Sequence, residues 1–559
     1  MKSAYNKFFS LFLIFFLCLS CGVNKGLKVL PTVSVYDTLA PRVIKLTDST
    51  SLSNNAFLLK NKQQLWELYV AGDPYQIGLK TGALTQNLYQ KQETVFFSKV
   101  EEIVPGGFRQ KMLIKMLKFY NRHLYRYIPE EYQTEILGIS KYATNRFDYL
   151  GDAFNRNLYL HGAHDIGHAF QDLALVGCTS LAVWGENSED GGLLIGRNFD
   201  FYAGDAFAEN KVVSFVKPDI GNAFMSYSWP GMIGVVSGMN EKGLTVTLNA
   251  GKSTIPLKAK TPISIVAREI LQYASNIEEA IAIAKDKEVF VSESLLIGSA
   301  EDKKAIIIEI APHKMGVYEM PNSSSLICSN HFQSDAFADD KRNRKHIEES
   351  HSKYRWDKMN ELLEEEEKLS PKKMVEILRN TEGLNNKKIG YGNEKALNQL
   401  LAHHGIVFQP EKRMVWVSSS PYQLGTFVAY DLNEIFKKPF DEPFSFSIDS
   451  LSIEKSPFLY TAAFLDYEKF RMEDRIIESA INKEEVLSTE VIKDYQYLNP
   501  EYWLVYYRAG VYFYNNKQYE EAEKQFKIAL EKEVTTKVAV TKIEEYLKKI
   551  SKKWKGNRL

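Results

Sequence analysis

Two kinds of hydrophobic pattern divide the chain. Apolar residues recur at helical spacing on both sides of the centre, whereas residues 178–432 carry many short apolar runs between polar turns. The pattern predicts early helices over residues 84–104, 108–125, 130–145 and 149–160. It predicts central strands over residues 178–184, 193–201, 212–216, 223–227, 233–238, 244–248, 294–298, 305–310, 314–319, 406–408, 414–418 and 427–431.

Paired helices interrupt the strand blocks. Residues 262–273 and 277–285 have helical periodicity, and residues 333–400 are charged and helical in pattern. Strand blocks that alternate with paired helices favour stacked layers over a parallel Rossmann sheet. The sequence has no glycine-rich phosphate-binding loop, and we expect no cofactor.

The end of the chain is predicted to form a separate helical region. Prolines at 439, 443 and 457 interrupt a polar stretch, and everything after residue 460 has helical periodicity. Within residues 503–536, small and aromatic residues fall where a tetratricopeptide repeat places its packing positions. These are Tyr506, Ala509, Gly510, Phe513, Ala522, Phe526 and Ala529. Because one repeat cannot bury its own face, we expect it to pack on neighbouring helices or on the central block.

The N-terminus resembles that of an exported lipoprotein. Lys2 and Lys7 precede an apolar run of signal-peptide length, residues 8–19. The run ends in Ser20-Cys21-Gly22, which resembles a bacterial lipoprotein box although Cys18 stands where that motif usually carries Leu. We therefore expect lipidation of Cys21 and a lipid-anchored protein of the cell envelope; an ordinary cleaved signal peptide is the alternative.

Composition excludes several classes of partner. Lys plus Arg and Asp plus Glu each total 70, so the net charge is zero and gives no electrostatic case for nucleic acid. Without the signal segment, the thiols are Cys21, Cys178 and Cys328. So few cysteines do not make a disulfide scaffold, and we expect Cys178 and Cys328 to be free.

The candidate chemistry centres on a thiol at the head of a predicted hairpin. Cys178 follows Gly177 and begins an apolar run, and a polar turn leads to a second run that carries Arg197 and Asp200. A cysteine N-terminal nucleophile needs this arrangement, because cleavage before the cysteine frees an α-amine that serves as its base. A buried structural cysteine is the alternative.

A histidine group earlier in the chain suggests a second site. His161, His164 and His168 would share one helix face, but Gly162 and Gly167 weaken the helix prediction. No carboxylate–histidine metal motif completes the group. We therefore favour a surface or interface role over a metal site.

With these residues in view, the central block resembles the cysteine Ntn hydrolases of the penicillin acyltransferase-like family. Choloylglycine hydrolases and acid ceramidase are more distant relatives. The resemblance runs from Gly72 to about Leu432. It rests on Gly-Cys at 177–178, Arg-Asn-Phe-Asp at 197–200, Asn-Glu-Lys-Gly-Leu at 240–244 and Ser-Asn-His-Phe at 329–332. It implies an α+β four-layer αββα sandwich and self-cleavage at 177/178.

The resemblance also implies roles for single residues. Cys178 is the nucleophile, Asp200 holds its freed α-amine, and Arg197 lowers the pKa of the thiol and positions the acyl group. Asn249, through its side chain or backbone, and Asn330 donate to the oxyanion. Arg355 supports the nucleophile, with Arg344 as the alternative. In this family the α-amine replaces an imidazole, so His331 stays outside the catalytic set.

Together these observations predict a domain order and a function. A signal peptide spans residues 1–20, a tether and first strand 21–60, the Ntn-hydrolase domain 61–440 and the helical tetratricopeptide-like region 460–559. The predicted function is cleavage of a small-molecule N-acyl amide. An acyltransferase on the same fold is one alternative. A non-catalytic lipoprotein scaffold that binds a protein partner through its helical end is the other.

Overall fold

Two β-sheets form the centre of the protein. The computed structural model describes residues 29–103, 106–170, 177–253, 258–320, 322–437 and 442–556. The strands are β1 Ile44–Thr47, β2 Thr50–Ser53, β3 Ala56–Lys60, β4 Trp66–Gly72, β5 Thr179–Val183, β6 Leu194–Phe199, β7 Val212–Pro218, β8 Phe224–Ser228, β9 Ser237–Asn240, β10 Leu244–Ala250, β11 Glu293–Ser299, β12 Lys304–Ala311, β13 Lys314–Tyr318, β14 Ser325–Cys328, β15 His404–Gln409, β16 Met414–Ser418, β17 Phe427–Asp431 and β18 Ile448–Ile453.

Within the described residues the first sheet has eleven strands and the second has seven. The order is β1-β2-β3-β4-β7-β8-β9-β10-β11-β12-β13 in the first sheet and β14-β5-β6-β15-β16-β17-β18 in the second. Neighbouring strands are antiparallel except for β4 beside β7. Residues 44–60 thus form three strands where the sequence pattern indicated a tether and one strand. The second sheet also contains β18, which lies beyond residue 440, the predicted end of the Ntn-hydrolase domain.

Helices lie before, between and after the strands. Their bounds are α1 Pro74–Ile103, α2 Gly107–Asn121, α3 Glu130–Ser140, α4 Ala153–Phe170, α5 Ile263–Tyr273, α6 Ile277–Asp286, α7 Lys341–Glu349, α8 Ser352–Glu365, α9 Pro371–Leu378, α10 Leu432–Ile435, α11 Ala462–Lys483, α12 Thr489–Leu498, α13 Trp503–Asn515, α14 Tyr519–Glu531 and α15 Lys537–Gly556. None of the helices in the described part of the chain is long and apolar enough to cross a membrane.

The layers are helix, sheet, sheet and helix. Apolar residues of both sheets, including Phe215 and Phe408, form the core between them. The outer face of the first sheet packs on α5 and α6, and that of the second packs on α8 and α9. Strands such as β11 are buried along their whole length because both faces are covered. The α+β sandwich predicted from the sequence is therefore confirmed.

The C-terminal helices pack against each other and on the sandwich. Gly510 of α13 lies so close to the Phe526 ring of α14 that an added Cβ would come within 2.7 Å of it. Tyr467 and Tyr502 of this region share a hydrophobic cluster with Leu400 and Leu424 of the central block. The helical region thus covers its apolar face partly on the central block, one of the two packing modes expected.

Candidate active site

Cys178 lies immediately before β5 and is buried. β5 pairs with β6 so that Thr179 faces Asn198 and Ser180 faces Arg197. The Cys178 side chain is 1% exposed, and no disulfide joins it to Cys328, because both thiols are free. The two predicted runs are therefore neighbouring strands that bring Arg197 beside the thiol.

Arg197 holds the thiol and bridges the two sheets. Its Nη2 donates to Cys178 Sγ at 3.7 Å and also to the carbonyl oxygen of Leu248. Its Nη1 donates to the Val236 carbonyl at 3.1 Å and to Ser237 Oγ at 2.5 Å. A fully buried guanidinium is therefore held by backbone and hydroxyl oxygens, with its charge directed at the sulfur.

Asp200 is a buried carboxylate without a hydrogen-bond partner among the described residues. The residue is 2% exposed, and neither carboxylate oxygen receives a donor. Burial raises its pKa to about 7, although Arg355 and Arg197 lower it. Arg197 and Asp200 therefore form no hydrogen-bonded ion pair among the described residues of the uncut chain.

The thiol is protonated at neutral pH in the uncut chain. Burial raises the pKa of Cys178 to about 11; Arg197 lowers it, while Asp200 and Glu293 raise it further. The expected influence of Arg197 is thus present, but desolvation outweighs it while the site is closed and the α-amine is still a peptide nitrogen.

Arg355 and Asn330 complete one side of the cluster. Arg355 Nη1 donates to the Cys178 carbonyl at 2.7 Å and to Thr179 Oγ1 at 2.8 Å, and its Nη2 donates to Asn330 Oδ1 at 2.6 Å. Asn330 Nδ2 donates to the Ala250 carbonyl at 3.0 Å, which leaves its second hydrogen available. By contrast, Arg344 is about half exposed and lies 3.8 Å from Asp339. Between the two arginines, Arg355 is therefore the one that contacts Cys178.

Asn249 lies in the same cluster, but its side chain is already engaged. Its Oδ1 accepts from Ser180 Oγ at 2.8 Å, and its Nδ2 donates to the carbonyls of Cys328 and Ser329 at 3.0 and 3.2 Å. Both amide hydrogens therefore have acceptors. The amide links β5 to the end of β14, and an oxyanion role for the side chain would require it to exchange a partner.

The remaining sequence candidates lie elsewhere. His161 is buried, with Nδ1 2.8 Å from the Asn157 carbonyl and Nε2 accepting from the Ile233 N–H at 3.1 Å. Of the surface or interface role expected for the histidines, the surface part is therefore wrong for this residue. The described residues contain no group of metal-ligating side chains. His331 Nδ1 lies 2.8 Å from Ser352 Oγ. Cys21 and the side chains of His164 and His168 lie outside the described residues.

Two features of the site have no signal in the sequence pattern. A buried chain of polar groups leads away from Arg197: Ser237 Oγ lies 2.9 Å from His404 Nε2, and His404 Nδ1 lies 2.9 Å from His403 Nδ1. In addition, Gln399 donates from Nε2 to the Gly177 carbonyl at 2.9 Å. Gln399 and His403 lie between α9 and β15, where no periodicity marks them, and His404 is the first residue of β15.

An aromatic cavity begins one residue beyond Asp200. The Phe199 ring lies 4.3 Å under the Arg197 guanidinium and stacks on Phe201, which stacks on Trp229. The enclosed space of the cavity is about 40 Å³, and the space that includes its open mouth is about 480 Å³. The lining residues are Tyr89, Phe96, Leu160, Phe201, Phe207, Trp229 and Met232, with Asn157 and Glu93. Among the described residues, the buried side-chain polar atoms of Asn157 and the Tyr89 hydroxyl have no hydrogen-bond partner. The recess is therefore mainly apolar with a few polar atoms, and its enclosed part has room for only a few atoms.

The sandwich fold and the thiol cluster are those expected from the resemblance to cysteine Ntn hydrolases. Residues 186–420 match the sequence model of the family described as acyl-coenzyme A:6-aminopenicillanic acid acyl-transferase. This confirms the resemblance inferred from the sequence. The matched region contains Arg197, Asp200 and Arg355, whereas Cys178 precedes it.

Individual relatives are distant. An uncharacterized protein of Archaeoglobus fulgidus is 25% identical over 56% of this chain and 51% of its own length. Protein dcd1B of Dictyostelium discoideum is 20% identical over 46% of this chain and 53% of its own. The chain thus spans about half the length of these curated relatives.

Solved structures show only low similarity. A Caenorhabditis elegans N-acylethanolamine-hydrolyzing acid amidase ortholog is 18% identical over 42% of this chain and 93% of its own, with a TM-score of 0.30. A mutant conjugated bile acid hydrolase from Clostridium perfringens is 15% identical over 49% of this chain and 96% of its own, with a TM-score of 0.31. At these values no property of either protein carries over to this chain.

Proposed function

We propose that the chain is a self-processing cysteine amidohydrolase that cleaves a linear N-acyl amide. The observation that carries this proposal is a buried carboxyl, that of Asp200, close to the thiol–guanidinium contact of Cys178 and Arg197. Among the described residues, neither oxygen of this carboxyl has a hydrogen-bond partner. A buried carboxylate without hydrogen bonds is costly in a finished protein, even with arginine charges nearby. Its cost is offset if a cation forms beside it, and cleavage at 177/178 forms one, the α-ammonium of Cys178.

Self-cleavage proceeds through a thioester. Cys178 Sγ adds to the Gly177 carbonyl carbon, and the carbonyl oxygen takes the negative charge. The Gly177–Cys178 C–N bond then breaks while the thiol proton passes to the departing nitrogen. Water hydrolyses the thioester, leaving a carboxyl end at Gly177 and a free thiol and α-amine on Cys178.

Turnover repeats the same chemistry on an external amide. The α-amine takes the thiol proton and later gives a proton to the leaving amine, while Asp200 fixes the amine's position and protonation. Arg197 favours the thiolate by its charge. The free hydrogen of Asn330 Nδ2 is a fixed donor for the tetrahedral oxyanion, and Asn249 remains a second candidate.

The direct test is amide cleavage by the mature protein. Incubation with a panel of N-acyl amides should release free amine and, after a quench, leave an acyl group on the fragment that begins with Cys178. Adding a second amine separates the two enzymatic alternatives, because an acyltransferase would form the new amide instead of the free acid. A scaffold that binds a protein partner through the helical end would release neither product.

We also propose that the aromatic cavity receives the acyl group. Replacing Met232 by Trp should fill the cavity and lower kcat/KM by about tenfold or more for long acyl groups, while short ones lose less. The measurement is kcat/KM for amides that differ only in acyl length. Met116→Trp at an exposed position on α2 is the matched control. An equal loss for all acyl lengths in Met232→Trp would reject this assignment.

Export with lipidation of Cys21 is proposed from the N-terminal pattern. In cells fed radiolabelled fatty acid, the wild-type protein should become labelled and fractionate with membranes, whereas Cys21→Ala should not be labelled. Cys18→Ala should keep the label, since that residue precedes the proposed modification site. Equal labelling of wild type and Cys21→Ala would show that the anchor is not on Cys21.

A further inference from the structure

Gly177, the residue before the proposed cleavage site, is held on both sides of its backbone. Its N–H donates to the Asp200 carbonyl at 3.2 Å, and its carbonyl oxygen accepts from Gln399 Nε2 at 2.9 Å. Gln399 is 2% exposed. A Cβ added to Gly177 would come within 2.1 Å of Gln399 Nε2, so a larger residue here would displace the Gln399 amide. The oxygen of the scissile peptide thus faces a fixed amide donor.

We propose that Gln399 is the oxyanion donor of self-cleavage, an inference that rests on the proposed function. When Cys178 Sγ adds to the Gly177 carbonyl carbon, the C=O double bond becomes a C–O⁻ bond at the oxygen that Gln399 already contacts. A neutral amide N–H stabilises this charge without adding a charge of its own. The donor remains in place while the C–N bond breaks and the thioester forms.

This donor differs from those proposed for turnover. Asn330 and Asn249 form hydrogen bonds to the carbonyls of Ala250, Cys328 and Ser329, whereas Gln399 donates to the Gly177 carbonyl of the scissile bond. Once Gly177 is a free carboxyl end, it can leave Gln399. Loss of Gln399 should therefore slow maturation and leave turnover by cleaved molecules intact.

The backbone around Gln399 is held in place by both parts of the protein. Leu400 adopts a left-handed conformation, with φ of 52°, and is fully buried. Its N–H donates to Asn398 Oδ1 at 3.1 Å, and its carbonyl accepts from Tyr467 Oη of the C-terminal region at 3.2 Å. A strained residue persists where its surroundings fix it. The donor is thus oriented before the reaction begins, as oxyanion stabilisation requires.

The test follows cleavage of newly synthesised full-length protein by intact mass. Gln399→Leu, which keeps the approximate size and removes the donor, should slow cleavage by ~10² to 10³ relative to wild type. The fraction that does mature should hydrolyse amide at the wild-type rate per cleaved molecule. Gln272→Leu is the matched control, because Gln272 is a buried amide that donates to the Ile220 carbonyl at 3.0 Å, away from the thiol.

Gln399→Glu separates chemistry from folding. A protonated carboxyl donates a hydrogen bond and a carboxylate cannot. The cleavage rate of Gln399→Glu relative to wild type should therefore fall as pH rises. Wild-type cleavage speed in Gln399→Leu, or a pH-independent ratio in Gln399→Glu, would overturn the assignment. If wild-type protein is cleaved but the relative cleavage rate of Gln399→Glu does not change with pH, the proposal of self-cleavage stands and only the role of Gln399 is rejected. If wild-type protein never cleaves, the proposed function and this inference both fail.

Discussion

Replacing Cys178 by alanine should leave the chain in one piece and abolish amide hydrolysis. Wild-type protein should instead give two non-covalently held pieces, one ending at Gly177 and one spanning residues 178–559. Removal of a covalent nucleophile from a preorganised site costs on the order of 10⁶ in rate. Intact-mass measurement and an amide-release assay on the same samples check both effects.

Cys328→Ala is the control for the loss of a buried thiol. Cys328 is fully buried in the same part of the protein, and burial holds its pKa well above the usual value, so it is an inert thiol. That variant should still be cleaved and remain active. Wild-type protein that stays uncut and yet hydrolyses amides at full rate would contradict the free-amine mechanism.

The contacts within the hairpin of β5 and β6 could be predicted from the sequence. The apolar runs on either side of the turn at 187–192 are local, so their pairing brings Ser180 opposite Arg197 with no information about the rest of the fold. The layered class was also predictable, because strand blocks and helix pairs alternate along the chain. The three strands within residues 44–60 were harder to predict from the sequence. Each is only four or five residues long, with little alternation to mark it.

Contacts between distant segments were not predictable from pattern. Gln399 reaches Gly177 across 222 positions, and Arg355 reaches Cys178 across 177. The choice of Arg355 over Arg344 came from the family resemblance, not from periodicity. The sequence predicted that Arg197 lowers the pKa of the thiol, but it could not predict the net direction of the shift. A sequence shows which charges are available, but desolvation depends on the complete packing around Cys178.

Asp200→Asn is expected to fold and to lose activity. The two side chains are nearly equal in size, and the Asp200 carboxyl makes no hydrogen bond to the described part of the chain that the substitution would break. The mutant lacks the charge that positions the α-ammonium, so amide hydrolysis per mole of folded, processed protein should fall by ~10² to 10⁴. Self-cleavage should slow as well, since maturation uses the same thiol.

The pH dependence of stability gives an independent measure of the same carboxyl. In an uncut Cys178→Ala background, Asp200 has a folded pKa raised from 3.8 to about 7. Between these values the folded state binds a proton that the unfolded state lacks. This contribution is therefore complete below pH 4 and is lost as pH rises towards 7. Adding Asp200→Asn should remove that part of the pH dependence. At pH values above 7, the variant should also have a higher thermal midpoint of unfolding than the Cys178→Ala protein. A lowered midpoint with full specific activity in the processed Asp200→Asn protein would instead identify Asp200 as a structural residue.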